Sequence, residues 1–184
     1  MKIAIIGYSG CGKSTLADYL KEKYHIPVLY LDCIHWLPGW EERSQAEEKM
    51  LVKQFLDQNT SWVIDGNYAN LCYQRRLEEA DRIIYMNFNR FTCLCRAVKR
   101  YVRYRGKTRE SMTEDCPEKL DLEFIWWILY AGRTREYKKR YRNVLKRYAS
   151  KTIVIKNQRQ LTAFTNNNSS ISRKMCLKQR RNHE

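Results

Sequence analysis

The stretch Gly7-Tyr8-Ser9-Gly10-Cys11-Gly12-Lys13-Ser14 satisfies the pattern G-x-x-x-x-G-K-[ST] in full. Its glycines let the backbone curl so that successive N–H groups point inward, a conformation that Cβ atoms would obstruct. A helix starting near Lys13 would add unpaired N–H groups and the positive end of its dipole. Such a cradle suits a polyphosphate. Lys13 would reach the β- and γ-phosphates, and the Ser14 hydroxyl would be offered to Mg²⁺. Gly7, Ser9, Gly10, Cys11, Gly12, Lys13, Ser14 and Thr15 are the expected nucleotide-binding residues, with ATP and Mg²⁺ as ligands.

Two acids stand where an open parallel sheet would bring them to the same cleft. Asp32 closes the β-former run VLYLD (28–32), and Asp65 closes SWVID (61–65). Ligands of such sheets sit beyond the carboxyl ends of the strands. One division of labour gives Asp65 a metal role beside Ser14, and lets Asp32 orient or deprotonate an acceptor hydroxyl. Either could instead be a turn aspartate, since Asp65-Gly66 is also a turn signal. HWLPGW (35–40) follows, and its rings could wall a pocket or pack as a small satellite core. His35 fits a hydrogen-bonded structural role better than that of a general base.

Arginines form the third group. No acid interrupts Arg90 to Arg109, and Arg96, Arg100 and Arg103 share one helical face. A second basic run opens with Arg133 and Arg135. Guanidinium groups brought in by a closing lid would stabilise the charge that spreads over a transferring phosphoryl group. The candidate catalytic residues are therefore Lys13, Asp32, Asp65, Arg96, Arg100 and Arg133, with Ser14 and Asp65 as metal ligands. A solvated basic face is the alternative. Interleaved Tyr101, Tyr104, Tyr130, Tyr137, Tyr141 and Tyr148 also suit stacking on single-stranded nucleic acid.

The elements that must position these groups read as strand–helix–strand. Further strands are expected at 82–88 and 151–155, and helices at 13–24, 44–58 and 69–80. A helix, a loop at 106–121 and a second helix to about 149 would follow the fourth strand, with FIWWILY (124–130) as the second helix's buried stripe. Alternating strands and helices predict an α/β fold, a parallel sheet with helices on both faces. The 184 residues suit one domain, over 1–160, with a lid at about 96–135 and a flexible basic tail at 161–184. A net charge of +15 points to nucleic acid, an anionic membrane or a polyanionic small molecule. Seven scattered cysteines read as reduced thiols. With no long apolar run and no signal peptide, a cytoplasmic protein without a membrane partner is expected.

The succession GYSGCGKST, YLDCIHWLPGW, WVIDGNY and ADRIIYMNFNR, followed by an arginine-rich helix, resembles the adenylate-kinase-related proteins often labelled "DNA topology modulation protein", over about residues 1–156. The resemblance implies a three-layer α/β/α P-loop fold of the nucleoside-monophosphate-kinase type, a five-stranded parallel sheet in order 2-3-1-4-5, and a mobile lid. It places Asp65-Gly66 at the Asp-Gly after the third strand, and Arg90, Arg96 and Arg100 where the lid begins. Adenylate kinases seat AMP with a Thr-Gly-Asp-x-x-Arg segment, where this chain has Cys33-Ile34-His35-Trp36, with Arg43 the one arginine of that region. The acceptor pocket looks more like that of small-metabolite kinases. The expected function is transfer of the γ-phosphoryl group of ATP to a nucleotide or other small-molecule acceptor. The alternative is a nucleic-acid-binding protein with an ATP-dependent switch, acting on DNA topology.

Overall fold

Alternate residues of a strand face opposite sides of a sheet, yet Ile3, Ala4, Ile5 and Ile6 are all buried, so both faces of β1 (Lys2–Gly7) are covered. The computed structural model describes residues 1–109 and 111–166. After β1 come α1 (Lys13–Tyr24), β2 (Val28–Tyr30), α2 (Leu31–His35), β3 (Trp36–Leu37), β4 (Glu41–Glu42), α3 (Gln45–Gln58) and β5 (Trp62–Asp65). Then follow α4 (Tyr73–Glu79), β6 (Arg82–Met86), α5 (Arg90–Tyr104), α6 (Leu122–Leu129), α7 (Arg135–Arg147) and β7 (Thr152–Ile155). The main sheet is parallel with order β2-β5-β1-β6-β7. Counting its five strands along the chain gives 2-3-1-4-5, the order that the resemblance implied. Helices flank this sheet in the three-layer arrangement expected of a P-loop fold.

Four expectations are corrected. The second strand stops at Tyr30, because fully buried Leu31 folds over Gly66 and the chain coils into α2. A Cβ on Gly66 would stand 2.7 Å from that leucine. Asp32 therefore sits in the first turn of α2 and does not close a strand. The second lid helix divides into α6 and α7, since Gly132 packs under Trp127 and Arg133 donates to the Ile128 carbonyl. In the run FIWWILY only Ile128 is buried, while Trp126, Trp127 and Tyr130 are exposed. A helical segment over 158–166 packs Leu161 and Phe164 on the core, so the first residues of the expected tail are helical. The remainder of that tail lies outside the described residues.

Helix starts divide into two kinds. Ser44, Asn89 and Asp121 cap α3, α5 and α6 by accepting from the N–H groups of Glu47, Thr92 and Phe124. α1 begins after Gly12, which has no side chain to cap with, so its first N–H groups are left for a ligand.

Close backbone approach fixes the loop before α1. A Cβ at Gly10 would lie 2.5 Å from the Cys93 carbonyl oxygen, whereas at Gly39, with the same φ of +77°, it would meet nothing within 4 Å. Gly10→Ala should cost ~2–3 kcal/mol and lower Tm by roughly 5–10 °C. Gly39→Ala should cost at most ~1 kcal/mol. Equal losses in thermal denaturation would contradict this account of the loop.

Candidate active site

A cleft of about 2010 Å³ opens at the carboxyl ends of the strands, between the loop Gly7–Ser14, the α2–β4 segment and the lid elements. Lys13 projects from the first turn of α1, and its Nζ donates to the Tyr8 carbonyl at 3.2 Å. Burial alone would lower its pKa, but Cys11, where its thiol ionises, and the Asp65 and Asp32 carboxylates outweigh that and raise it. The Arg96 guanidinium reaches back from α5, donates to the Cys11 carbonyl and Gln158 Oε1, and lies over the Phe88 ring at 4.2 Å. Cys11 is fully buried, and desolvation pushes its thiol up to about 11, so it packs as a neutral group. Above the loop, the Trp127 indole N–H donates to Ser9 Oγ at 3.1 Å.

Behind Lys13 lies an oxygen pair. The Ser14 hydroxyl donates to Asp65 Oδ2 at 2.7 Å, while Asp65 Oδ1 is buried with no hydrogen-bond partner. A hydroxyl and a carboxylate with one unpartnered buried oxygen form a donor set that fits Mg²⁺, a hard cation preferring oxygen. Burial, opposed by Lys13 and reinforced by Asp32, raises the Asp65 carboxyl to about 6.

On the facing side, Asp32 Oδ1 accepts from the Tyr68 hydroxyl at 2.8 Å, and both residues line the cleft. Trp36 and Trp40, on the β3–β4 hairpin, pack edge to face at 5.3 Å and also line it. His35 Nδ1 lies 2.6 Å from Oε1 of buried Glu48, the structural pairing expected of it. The loop carrying Gly66 to Leu71 is held by Arg76, fully buried on α4. Its guanidinium donates to the Leu71 and Tyr68 carbonyls at 2.7 Å each, and burial lowers its pKa to about 10.

Of the other expected arginines, Arg100 lines the cleft and is bound to Glu118, 2.7 Å from Nε to Oε1. Arg133 is placed elsewhere. It donates to the Phe88 and Ile128 carbonyls at 3.0 Å each and lies over the Tyr8 ring at 3.8 Å. Backbone carbonyls thus claim a side chain whose type alone suggested phosphate. The loop between α5 and α6 docks on the hairpin, where the Thr113 hydroxyl donates to the Trp36 carbonyl at 2.7 Å and the Gly39 N–H to the Asp115 carbonyl at 3.2 Å. Sequence reasoning missed Tyr68, Arg76, Glu118 and Trp127. The motif WVIDGNY held the one available signal, for Tyr68.

Between the ordinary carboxylate value of 3.8 and about 6, folded Asp65 keeps a proton that the unfolded chain has released. Stability therefore falls as pH rises through that window. Without Mg²⁺, Asp65→Asn should be more stable than the parent at about pH 8, by up to about 3 kcal/mol. The gain should vanish below about pH 4. Denaturant unfolding across pH checks this, and a variant less stable than the parent at high pH would contradict it.

No curated protein matches the chain. Among solved structures, the deoxyadenosine kinase of M. mycoides with products dCMP and a flexible dCDP bound is similar at 18% identity, over 93% of this chain and 100% of that chain, with a TM-score of 0.47. The same kinase with bound dCTP is similar at 17% identity, over 92% of this chain and 100% of that chain, again at 0.47. The AAA domain family matches residues 3–116, which include the phosphate loop, Asp32, Asp65 and the start of the lid. That match spans more than half of the sequence, and the chain belongs to the AAA domain family.

Proposed function

We propose that the protein is an ATP-dependent phosphotransferase that moves the γ-phosphoryl group of ATP to a nucleotide or other small-molecule acceptor. The observation that carries this reading is a single cleft lined by the phosphate loop, Asp32 and arginines of α5. Its volume of about 2010 Å³ exceeds the ~300–1,000 Å³ of a single-ligand pocket and suits two ligands at once.

In this reading the open N–H groups at the start of α1 bind the phosphates, and Lys13 exchanges the Tyr8 carbonyl for their oxygens. Ser14 and Asp65 would hold Mg²⁺, which when bound neutralises charge on the triphosphate. For a hydroxyl acceptor, Asp32 takes the proton as the oxygen bonds to the γ-phosphorus and the bond to the β–γ bridging oxygen breaks, releasing ADP. Tyr68 keeps the Asp32 carboxylate oriented. Arg96 stabilises the charge on the γ-oxygens, while Arg133 supports the loop from beneath Tyr8. A kinase unit over 1–160, with its lid at about 96–135, acts in the cytoplasm, where ATP is plentiful.

A second reading is favoured by one surface feature. Arg135, Lys138, Lys139, Arg142 and Lys146 are exposed on α7 and form no ion pair among the described residues. Such a stripe suits a nucleic-acid backbone.

Two experiments separate these readings. Turnover of ATP with Mg²⁺ should rise with one member of a panel of nucleoside monophosphates, nucleosides, sugars and hydroxy acids. Lys13→Ala should lower it ~10³-fold or more at unchanged Tm. Asp32→Asn should lower kcat ~10²-fold or more with KM for ATP within about threefold. Unchanged transfer in Lys13→Ala would sink the phosphotransferase reading. On the second reading, DNA binding should show a log–log salt slope of several units that falls by about one for each α7 cation neutralised. A slope indifferent to those changes would remove it.

A further inference from the structure

The acceptor end of the cleft is poor in cations. Residues 31–42 and 66–70 contain no lysine or arginine, and the charged groups that they turn to the cleft are Asp32 and Glu42. Arg43, next along the chain, donates to the Ile34 carbonyl at 2.8 Å and pairs with Glu47, and it does not line the cleft. An acceptor bearing a phosphate would need cations from the lid.

The lid turns Arg96, Lys99, Arg100, Arg103 and Arg109 to the cleft, and of these Arg100 and Arg109 are held by one carboxylate. Glu118, only 8% exposed, pairs with Arg100, Nη2 lying 2.6 Å from Oε1, and with Arg109, Nε lying 2.7 Å from Oε2 in an ion pair whose Nε–H makes no hydrogen bond. Asp32 lies near enough for its charge to act on Arg100, and Arg109 acts likewise on Cys33, so the triad stands over the acceptor wall. Thr113 also reaches the Cys33 carbonyl, at 3.3 Å, and the Cys116 thiol donates to the Leu37 carbonyl at 3.2 Å, which holds the lid loop there. Lys119, which also lines the cleft, lies over the Trp40 ring, 4.6 Å from its centroid.

A buried carboxylate between two guanidiniums is costly to separate, because each group has given up water for the others. A phosphate entering here would have to displace Glu118 while lying close to Asp32 and Glu42. A neutral acceptor meets neither obstacle. Its hydroxyl can reach Asp32, and a planar ring can lie against Trp36, Trp40 and Tyr68.

Resting on the phosphotransferase reading, we propose that Glu118 is a specificity-determining residue: by occupying Arg100 and Arg109 it selects an unphosphorylated hydroxyl acceptor with a planar ring, of the nucleoside type, over the corresponding phosphate ester. The test is calorimetric titration of the full chain, loaded with Mg²⁺ and the β,γ-imido analogue of ATP, with the common ribo- and deoxyribonucleosides and their 5′-monophosphates. At least one nucleoside should bind ~10-fold or more tighter than its monophosphate, and Glu118→Gln should shrink that ratio ~10-fold. Tighter binding of the monophosphates, no binding of either class, or a ratio unchanged in Glu118→Gln would overturn the proposal. If Glu118→Gln does not fold, the ratio in the parent protein decides alone. Failure of the ATP analogue to bind, or equal binding by Lys13→Ala, would instead overturn the phosphotransferase reading and this proposal with it.

Discussion

The site depends on how closely the phosphate loop presses against its neighbours. Cβ atoms at Gly7 and Gly10 would fall 2.4 Å and 2.5 Å from the carbonyl oxygens of Met86 and Cys93, so the loop rests on the end of β6 and the start of α5. Only glycine permits that contact. Because α5 is seated by the loop, Arg96 can donate to the Cys11 carbonyl, and Arg100, one turn further, stands over the cleft. One contact thus sets both the phosphate cradle and the origin of the lid.

The cleft carries charge of both signs. Lys13, Arg96 and open N–H groups surround the loop, the Ser14–Asp65 pair lies beside Lys13, and Asp32, Trp36, Trp40 and Tyr68 line the same cleft. Burial pushes Asp65 toward its neutral form, and a bound cation would reverse that push. The Lys13 ammonium is kept charged by the same carboxylates despite burial. The polar groups in this arrangement are held by short-range partners whose bonds a ligand would replace.

Legibility in the sequence followed the range of the interactions. The phosphate loop was readable because strand, glycines, Lys13 and Ser14 are consecutive. The sheet order followed from the resemblance, and Asp65 from its strand. Asp32 was read correctly as a cleft residue but placed on the wrong element, since the coil at Leu31 answers to Gly66, a residue distant in sequence. An apolar run such as FIWWILY looks the same whether it lines a core or a cleft. Arg76, Arg133 and Glu118 depend on partners brought together only by the fold, and no local pattern marks a buried arginine or a bridging glutamate.

The central claim is that one cleft directs the γ-phosphate of ATP from the loop toward Asp32. It is tested most directly by a crystal structure with Mg²⁺ and the β,γ-imido analogue of ATP. The account predicts β- and γ-phosphates on Lys13 and the N–H groups at the start of α1, the cation at Ser14 and Asp65, and the γ-phosphate facing Asp32. Phosphates bound away from the loop, or a γ-phosphate turned away from Asp32, would contradict it.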